Sequence, residues 1–264
     1  MKRIHMMVLL AAITITGTAN AKVVTQSIDY LHGNVKLQGY LAFDDTNGGK
    51  MPGVLIVHEW WGLNDFARSR AEELAHMGYV AFALDMYGGG KSTEHPEEAS
   101  AWMKMVNNNM ENWQQRAMAG LDVLKKQPQV DTNRIAAIGY CFGGATVQVL
   151  AYGGADLKGV VSFHGSLLPP NAEQAGRTQA KILICHGAQD PMTTPDSMTA
   201  YIKAMNTAPI DWQLIAYGGA RHSFTNPDAD KRGMDALKYD PSADRRSWQH
   251  MVSFFDELFA AKNT

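Results

Sequence analysis

The sequence predicts an α/β fold: a mostly parallel twisted sheet with helices on both faces and an antiparallel hairpin at its N-terminal end. Three observations carry this. Short, fully apolar runs recur along the chain, as at Gly53-Val-Leu-Ile-Val57, and strands buried on both faces read this way. Stretches of helical periodicity separate the runs, which is the pattern of parallel strands joined by crossover helices. The chain has 264 residues, 45% hydrophobic and 19% charged, enough to bury a sizeable core.

The first residues read as a segment apart. Lys2 and Arg3 precede a short apolar stretch, Met6 to Ile15, and Ala19-Asn20-Ala21 matches a small-x-small cleavage site. The apolar run is too short to span a bilayer. The expectation is a signal peptide over residues 1–21, cleaved after Ala21, then one domain over 22–264, located in the periplasm or outside the cell. No membrane association is expected after cleavage. No linker, internal repeat or low-complexity tract divides the remainder.

The elements follow in order. Residues 23–30 and 35–43 are β-rich with Gly33 between them, a hairpin pattern. Residues 44–50 are polar and glycine-rich, hence a loop. The strand 53–57 runs into His58-Glu59-Trp60-Trp61-Gly62. Asn64 can cap a helix over 65–76, whose apolar stripe includes Phe66, Ala71 and Leu74. A strand over 79–84 leads to Asp85-Met86-Tyr87 and three glycines, and two helices are expected over 96–108 and 112–126. A strand ending near Ile138, a helix over 143–152, a strand over 160–163 and a polar excursion over 166–178 come next. Strands over 181–185 and 212–217 flank a helix over 197–205. A last amphipathic helix over 244–260 buries Trp248, Met251, Val252, Phe255 and Leu258.

The organising motif is Gly139-Tyr140-Cys141-Phe142-Gly143, the G-x-S-x-G spacing of a nucleophile elbow with cysteine in place of serine. An elbow places its nucleophile on a tight strand-to-helix turn. The flanking glycines remove side chains that would collide. The helix N-terminus, with its unpaired N–H groups and dipole, favours a thiolate. A buried structural cysteine beside a glycine-rich turn is the alternative.

In such sheets function lies beyond the carboxyl ends of the strands. Five expected strands end in chemically capable residues: Glu59, Asp85, Cys141, Asp190 and His222. Nucleophile Cys141, acid Asp190 and base His222 follow the chain order of α/β-hydrolases. The Phe142 N–H and a donor from the loop after strand 53–57, with Trp60 as candidate, would complete an oxyanion hole. Read singly, Asp190 is also a turn residue before Pro191 and His222 a surface histidine; the three in order favour the triad.

These segments, with His-Glu-Trp-Trp-Gly-Leu-Asn before the elbow and His-Gly-Ala-Gln-Asp-Pro and Arg-His-Ser-Phe after it, resemble the dienelactone hydrolase family from about Tyr40 to Phe259. The resemblance implies an α/β-hydrolase fold, a Cys-His-Asp triad and hydrolysis of small-molecule esters or lactones through an acyl-enzyme, without metal or organic cofactor. It also implies that Glu59 holds the place of a glutamate that interacts with the resting thiol and accepts its proton when substrate binds. A carboxylate that merely holds its loop is the other reading of Glu59.

The sequence departs from the family where substrate is chosen. The family binds its substrate's carboxylate with two arginines. Gly88-Gly89-Gly90-Lys91 stands at one position and Ser223-Phe224-Thr225-Asn226 at the other, with no arginine in either. Lys91 and Arg221 are the nearby cations, and Trp60, Trp61, Tyr87 and His164 are candidates to line the pocket.

Composition narrows the other classes. The formal charge of −2 supplies no basic field for nucleic acid. The two cysteines, Cys141 and Cys185, form no C-x-x-C pair and no zinc motif. Both read as reduced thiols, with Cys185 in the core. A thiol redox protein and a non-catalytic binding protein that has kept the fold are the competing readings. A monomer is expected.

Overall fold

A computed structural model describes residues 22–46 and 48–260. The expected signal peptide lies outside the described residues. Eight strands form one sheet in the order β1-β2-β4-β3-β5-β6-β7-β8: Val23–His32, Val35–Asp44, Met51–Val57, Val80–Leu84, Val130–Tyr140, Gly159–Phe163, Lys181–Gly187 and Trp212–Tyr217. β1 and β2 form the antiparallel hairpin, β2 also lies antiparallel to β4, and every later pairing is parallel.

Seven α-helices cover the sheet: α1 Asp65–His76, α2 Pro96–Asn107, α3 Met110–Lys125, α4 Phe142–Tyr152, α5 Ala172–Arg177, α6 Pro195–Thr207 and α7 Pro241–Phe259. Alternation along each strand divides the core in two. Val54, Ile56, Ala136 and Ile138 pack towards α1 and α7, while Leu55, Val57, Ile135 and Ala137 pack towards α3, α4 and α6. α4 is buried on every side, so it carries no exposed polar stripe, and its two polar residues, Thr146 and Gln148, are themselves buried.

The differences from expectation are local. The elbow strand is eleven residues long and begins at Val130, through a polar segment that the apolar run did not reveal. The excursion over 166–178 contains α5, which a capping box of Asn171 and Gln174 starts.

Glycines set the elbow. A Cβ on Gly139 would stand 2.0 Å from the Gly143 carbonyl oxygen, and one on Gly143 would stand 2.1 Å from that of Val57. β5, α4 and β3 therefore meet backbone to backbone. Gly139→Ala must push these elements apart, which costs about 3 kcal/mol or more. The expected outcome is a thermal midpoint lowered by roughly 6 °C or more, read by calorimetry; an unchanged midpoint would refute the backbone contact.

Candidate active site

Cys141 is the hinge between β5 and α4, with φ 53° and ψ −115°. Only three non-glycine residues among those described have positive φ: Cys141, His164 at 41° and Ser223 at 55°. All three belong to this site. A strained backbone of this kind costs about 1–3 kcal/mol per residue and persists where the surroundings over-determine it.

Here the surroundings can be named. The Cys141 N–H donates to the Phe163 carbonyl at 3.0 Å and to His164 Nδ1 at 3.2 Å. Since Nδ1 accepts, the proton belongs on Nε2, which donates to Thr225 Oγ1 at 2.7 Å. His164 is fully buried, and burial with the neighbouring His222 charge holds its pKa well below the ordinary value. It is a neutral strut under Cys141.

His222 and Asp190 come together as the sequence order implies. Nδ1 of His222 lies 2.8 Å from Asp190 Oδ2, with both side chains buried. The two loops that carry them are laced to each other: Gln189 N–H donates to the Ala220 carbonyl at 2.9 Å and Ala188 N–H to that of Tyr217 at 2.9 Å. Gly187 permits this approach, since a Cβ there would lie 2.7 Å from the Ala220 carbonyl oxygen. The other ring nitrogen, Nε2, is buried without a well-formed hydrogen bond. Burial alone would lower the pKa of His222, but the Cys141 charge and the bond to Asp190 raise it well above the ordinary value. Asp190 is displaced the other way: burial opposes its charge, and the His222 contact overcomes this and lowers it. Acid and base are thus matched as an ion pair.

Glu59 is buried and does not face the thiol. Its Oε1 accepts from Ser223 Oγ at 2.6 Å and its Oε2 from Asn226 Nδ2 at 2.6 Å. Burial raises its pKa, against these two donors. Glu59 therefore joins the loop after β3 to the loop that carries His222. His58 joins it to the loop after β4: its Nε2 accepts the Met86 N–H at 3.2 Å, while its Nδ1 meets the Glu59 carbonyl at 2.5 Å. Asp85, the remaining strand-end carboxylate, folds its own turn by accepting the N–H groups of Tyr87, Gly88 and Gly90 at 2.8–2.9 Å.

The Trp60 N–H has no backbone acceptor among the described residues, and Tyr87 Oη fixes the same loop by donating to the Trp60 carbonyl at 3.0 Å. Phe142 opens α4, so its N–H is one of the first-turn donors a helix leaves unpaired. A cavity of about 410 Å³ opens onto Cys141 and His222.

Comparison with known proteins bears on this arrangement. The model of the dienelactone hydrolase family matches residues 37–259. The chain belongs to the dienelactone hydrolase family. A dienelactone-hydrolase-like promiscuous phosphotriesterase from metagenomic libraries superposes with a TM-score of 0.88 at 41% identity, covering 91% of this chain and all of that one (100%). Protein usf of Aquifex pyrophilus is 28% identical over 88% of this chain and 98% of its own length. A protein of Aquifex aeolicus named carboxymethylenebutenolidase is 26% identical over 87% of this chain and 97% of its own length.

Within this dienelactone hydrolase fold, the residues expected to contact substrate fall in different places. Trp60 lines the cavity; Trp61, Tyr87, Lys91, His164 and Arg221 do not. Trp61 is buried beneath the Arg232 guanidinium, 4.7 Å from its ring. Lys91 Nζ lies 4.0 Å over the Trp102 ring, and Arg221 donates to the Asp235 carbonyl at 2.7 Å. The cavity wall comes instead from α2 and α3, through Met103, Asn107 and Trp113, and from Leu168, Met192 and Leu237 in loops. Those helices lack motifs, so only the fold reveals which of their faces meets Cys141. Arg70 also escaped notice: it reaches Glu73, Asp244 and the Thr225 carbonyl at 2.7–3.0 Å, so it anchors the loop whose threonine holds His164.

Two outcomes test this geometry. Cys141→Ala removes the interaction with Cys141 that raises the His222 pKa, so NMR should find the His222 ring titrating at lower pH than in the wild type; a rise would contradict the pairing. Glu59→Gln can still accept from Asn226 and donate to Ser223, so the fold should persist, with a thermal midpoint near that of the wild type. Glu59→Leu leaves both partners buried and unpaired and should cost about 2–4 kcal/mol in denaturant unfolding.

Proposed function

We propose that this hydrolase cleaves carboxylic esters or lactones by covalent catalysis at Cys141. The observation that carries the reading is the buried His222–Asp190 bond at 2.8 Å, which leaves Nε2 without a partner beside a thiol held on a strained turn. Such a base, oriented by a third group, is what a nucleophile of this kind requires.

The cycle runs in two halves. The Cys141 thiolate attacks the carbonyl carbon, and the oxyanion takes hydrogen bonds from the Phe142 and Trp60 N–H groups. The tetrahedral intermediate collapses, the C–O bond breaks, and the leaving alkoxide or enolate takes a proton from His222. Water then attacks the thioester while His222 accepts its proton and Asp190 balances the imidazolium; collapse releases the acid and restores the thiolate. Losing one oxyanion donor typically costs about 3–4 kcal/mol of transition-state stabilisation. No metal or organic cofactor enters these steps. In this reading Glu59 fixes the Trp60 loop at rest, and transfer of the thiol proton to it requires its release from Ser223 and Asn226. The exported location expected from residues 1–21 belongs to the same proposal.

The redox reading is the weaker one: both cysteines are free thiols, and burial pushes that of Cys185 up to about 12. The decisive measurement is turnover of p-nitrophenyl acetate before and after iodoacetamide. Alkylation is expected at Cys141 with loss of activity, and Cys141→Ala should lower kcat by about 10³-fold or more. Wild-type turnover in Cys141→Ala would overturn the nucleophile assignment. Wild-type protein that turns over no ester, lactone or phosphotriester would favour the binding-protein reading.

A further inference from the structure

Apart from Cys141 and His222, the cavity in front of the thiol has no ionisable side chain in its wall. Met103, Trp113, Leu168, Met192, Leu237 and Trp60 make most of it, and Asn107 and Ser166 are its polar members besides the catalytic pair. The floor is a stacked pair: the Trp113 and Phe142 rings lie 5.5 Å apart at 9°. The indole N–H of Trp113 is spent on Thr146 Oγ1 at 2.8 Å, so the floor presents an aromatic face and no donor.

Nearby cations are committed elsewhere. Lys91 sits on Trp102, Arg221 on the Asp235 carbonyl, and Arg232 between Trp61 and Glu94, 3.0 Å from the carboxylate. Arg116 is buried on His32 at 2.8 Å and on the Met86 carbonyl at 3.1 Å. A carboxylate bound on the α2–α3 side, away from the Cys141–His222 pair, would lose its water and meet no cation.

From this we propose that the substrates are uncharged esters or lactones whose apolar or aromatic group fills the cavity, and that carboxylate-bearing substrates are selected against. The inference rests on the hydrolase reading above, and it specifies the substrate class: a neutral group of up to aromatic-ring size next to the scissile carbonyl, on the α2–α3 side. About 410 Å³ holds a ligand of that size.

Two matched pairs of probes test it. For p-nitrophenyl butyrate and mono-p-nitrophenyl glutarate the leaving group is the same and the acyl chains differ by a terminal carboxylate. The expected kcat/KM is about 100-fold or more in favour of the butyrate, the scale of burying an unpaired charge. Met103→Arg places a cation in the wall and should narrow that ratio by about 10-fold or more, through a gain on the glutarate. Equal kcat/KM for the two esters in the wild type would overturn the proposal. The second pair does not depend on turnover. N-phenylbutanamide and N-phenylglutaramate are compared as protectants of Cys141 against iodoacetamide, read by mass spectrometry. The neutral anilide should protect at a concentration about 10-fold lower or less. Equal protection, or better protection by the anion, would overturn the proposal. If neither ester turns over, the hydrolase reading fails on that result while the anilides still report the cavity's preference.

Discussion

The structure depends on the backbone of Cys141 being held in a conformation it would not choose. A left-handed φ at a side-chain-bearing residue is costly, and the molecule offsets that cost with contacts that would not otherwise be needed. Gly139 and Gly143 let β5, α4 and β3 approach to backbone contact. The Cys141 N–H is shared between Phe163 and His164, and His164 is itself at positive φ. The result is a thiol at the start of a helix and above the C-terminal edge of the sheet.

From that point the site is held by links between loops. Asp190 orients His222, Glu59 ties the β3 loop to Ser223 and Asn226, and His58 ties it to Met86. Arg70 secures the His222 loop to α1 and α7 through Thr225 and Asp244. Each link ties two loops through a buried charged or polar group, which makes the arrangement stiff and intolerant of partial removal. Such stiffness is what the proposed mechanism needs, since oxyanion donors must stand ready before charge develops.

The fold was readable because its signals are local. Apolar runs, caps and a helical stripe placed strands and helices to within a few residues, as at Asp65–His76 and Trp212–Tyr217. The strand end at Asp190 and the loop at His222 were readable because strand ends in a parallel sheet converge. The binding surface was not. Tyr87 and Trp61 looked like pocket residues by chemistry, yet both are buried behind it. Met103 and Trp113 looked like ordinary helix residues, yet both face the thiol. Helix rotation and loop path decide such matters, and neither has a short-range signature.

By itself the sequence determined the alternating β/α order, the glycine-flanked turn at Cys141, and the order in which Cys141, Asp190 and His222 follow strand ends. These follow from spacing and periodicity, which act over a few residues. Only the tertiary structure decided where Glu59 bonds, that His164 is a strut and not a pocket wall, and that no Lys, Arg, Asp or Glu lines the cavity. Those depend on which side chains from distant segments meet, and on the burial that drives most polar groups among them to find a partner.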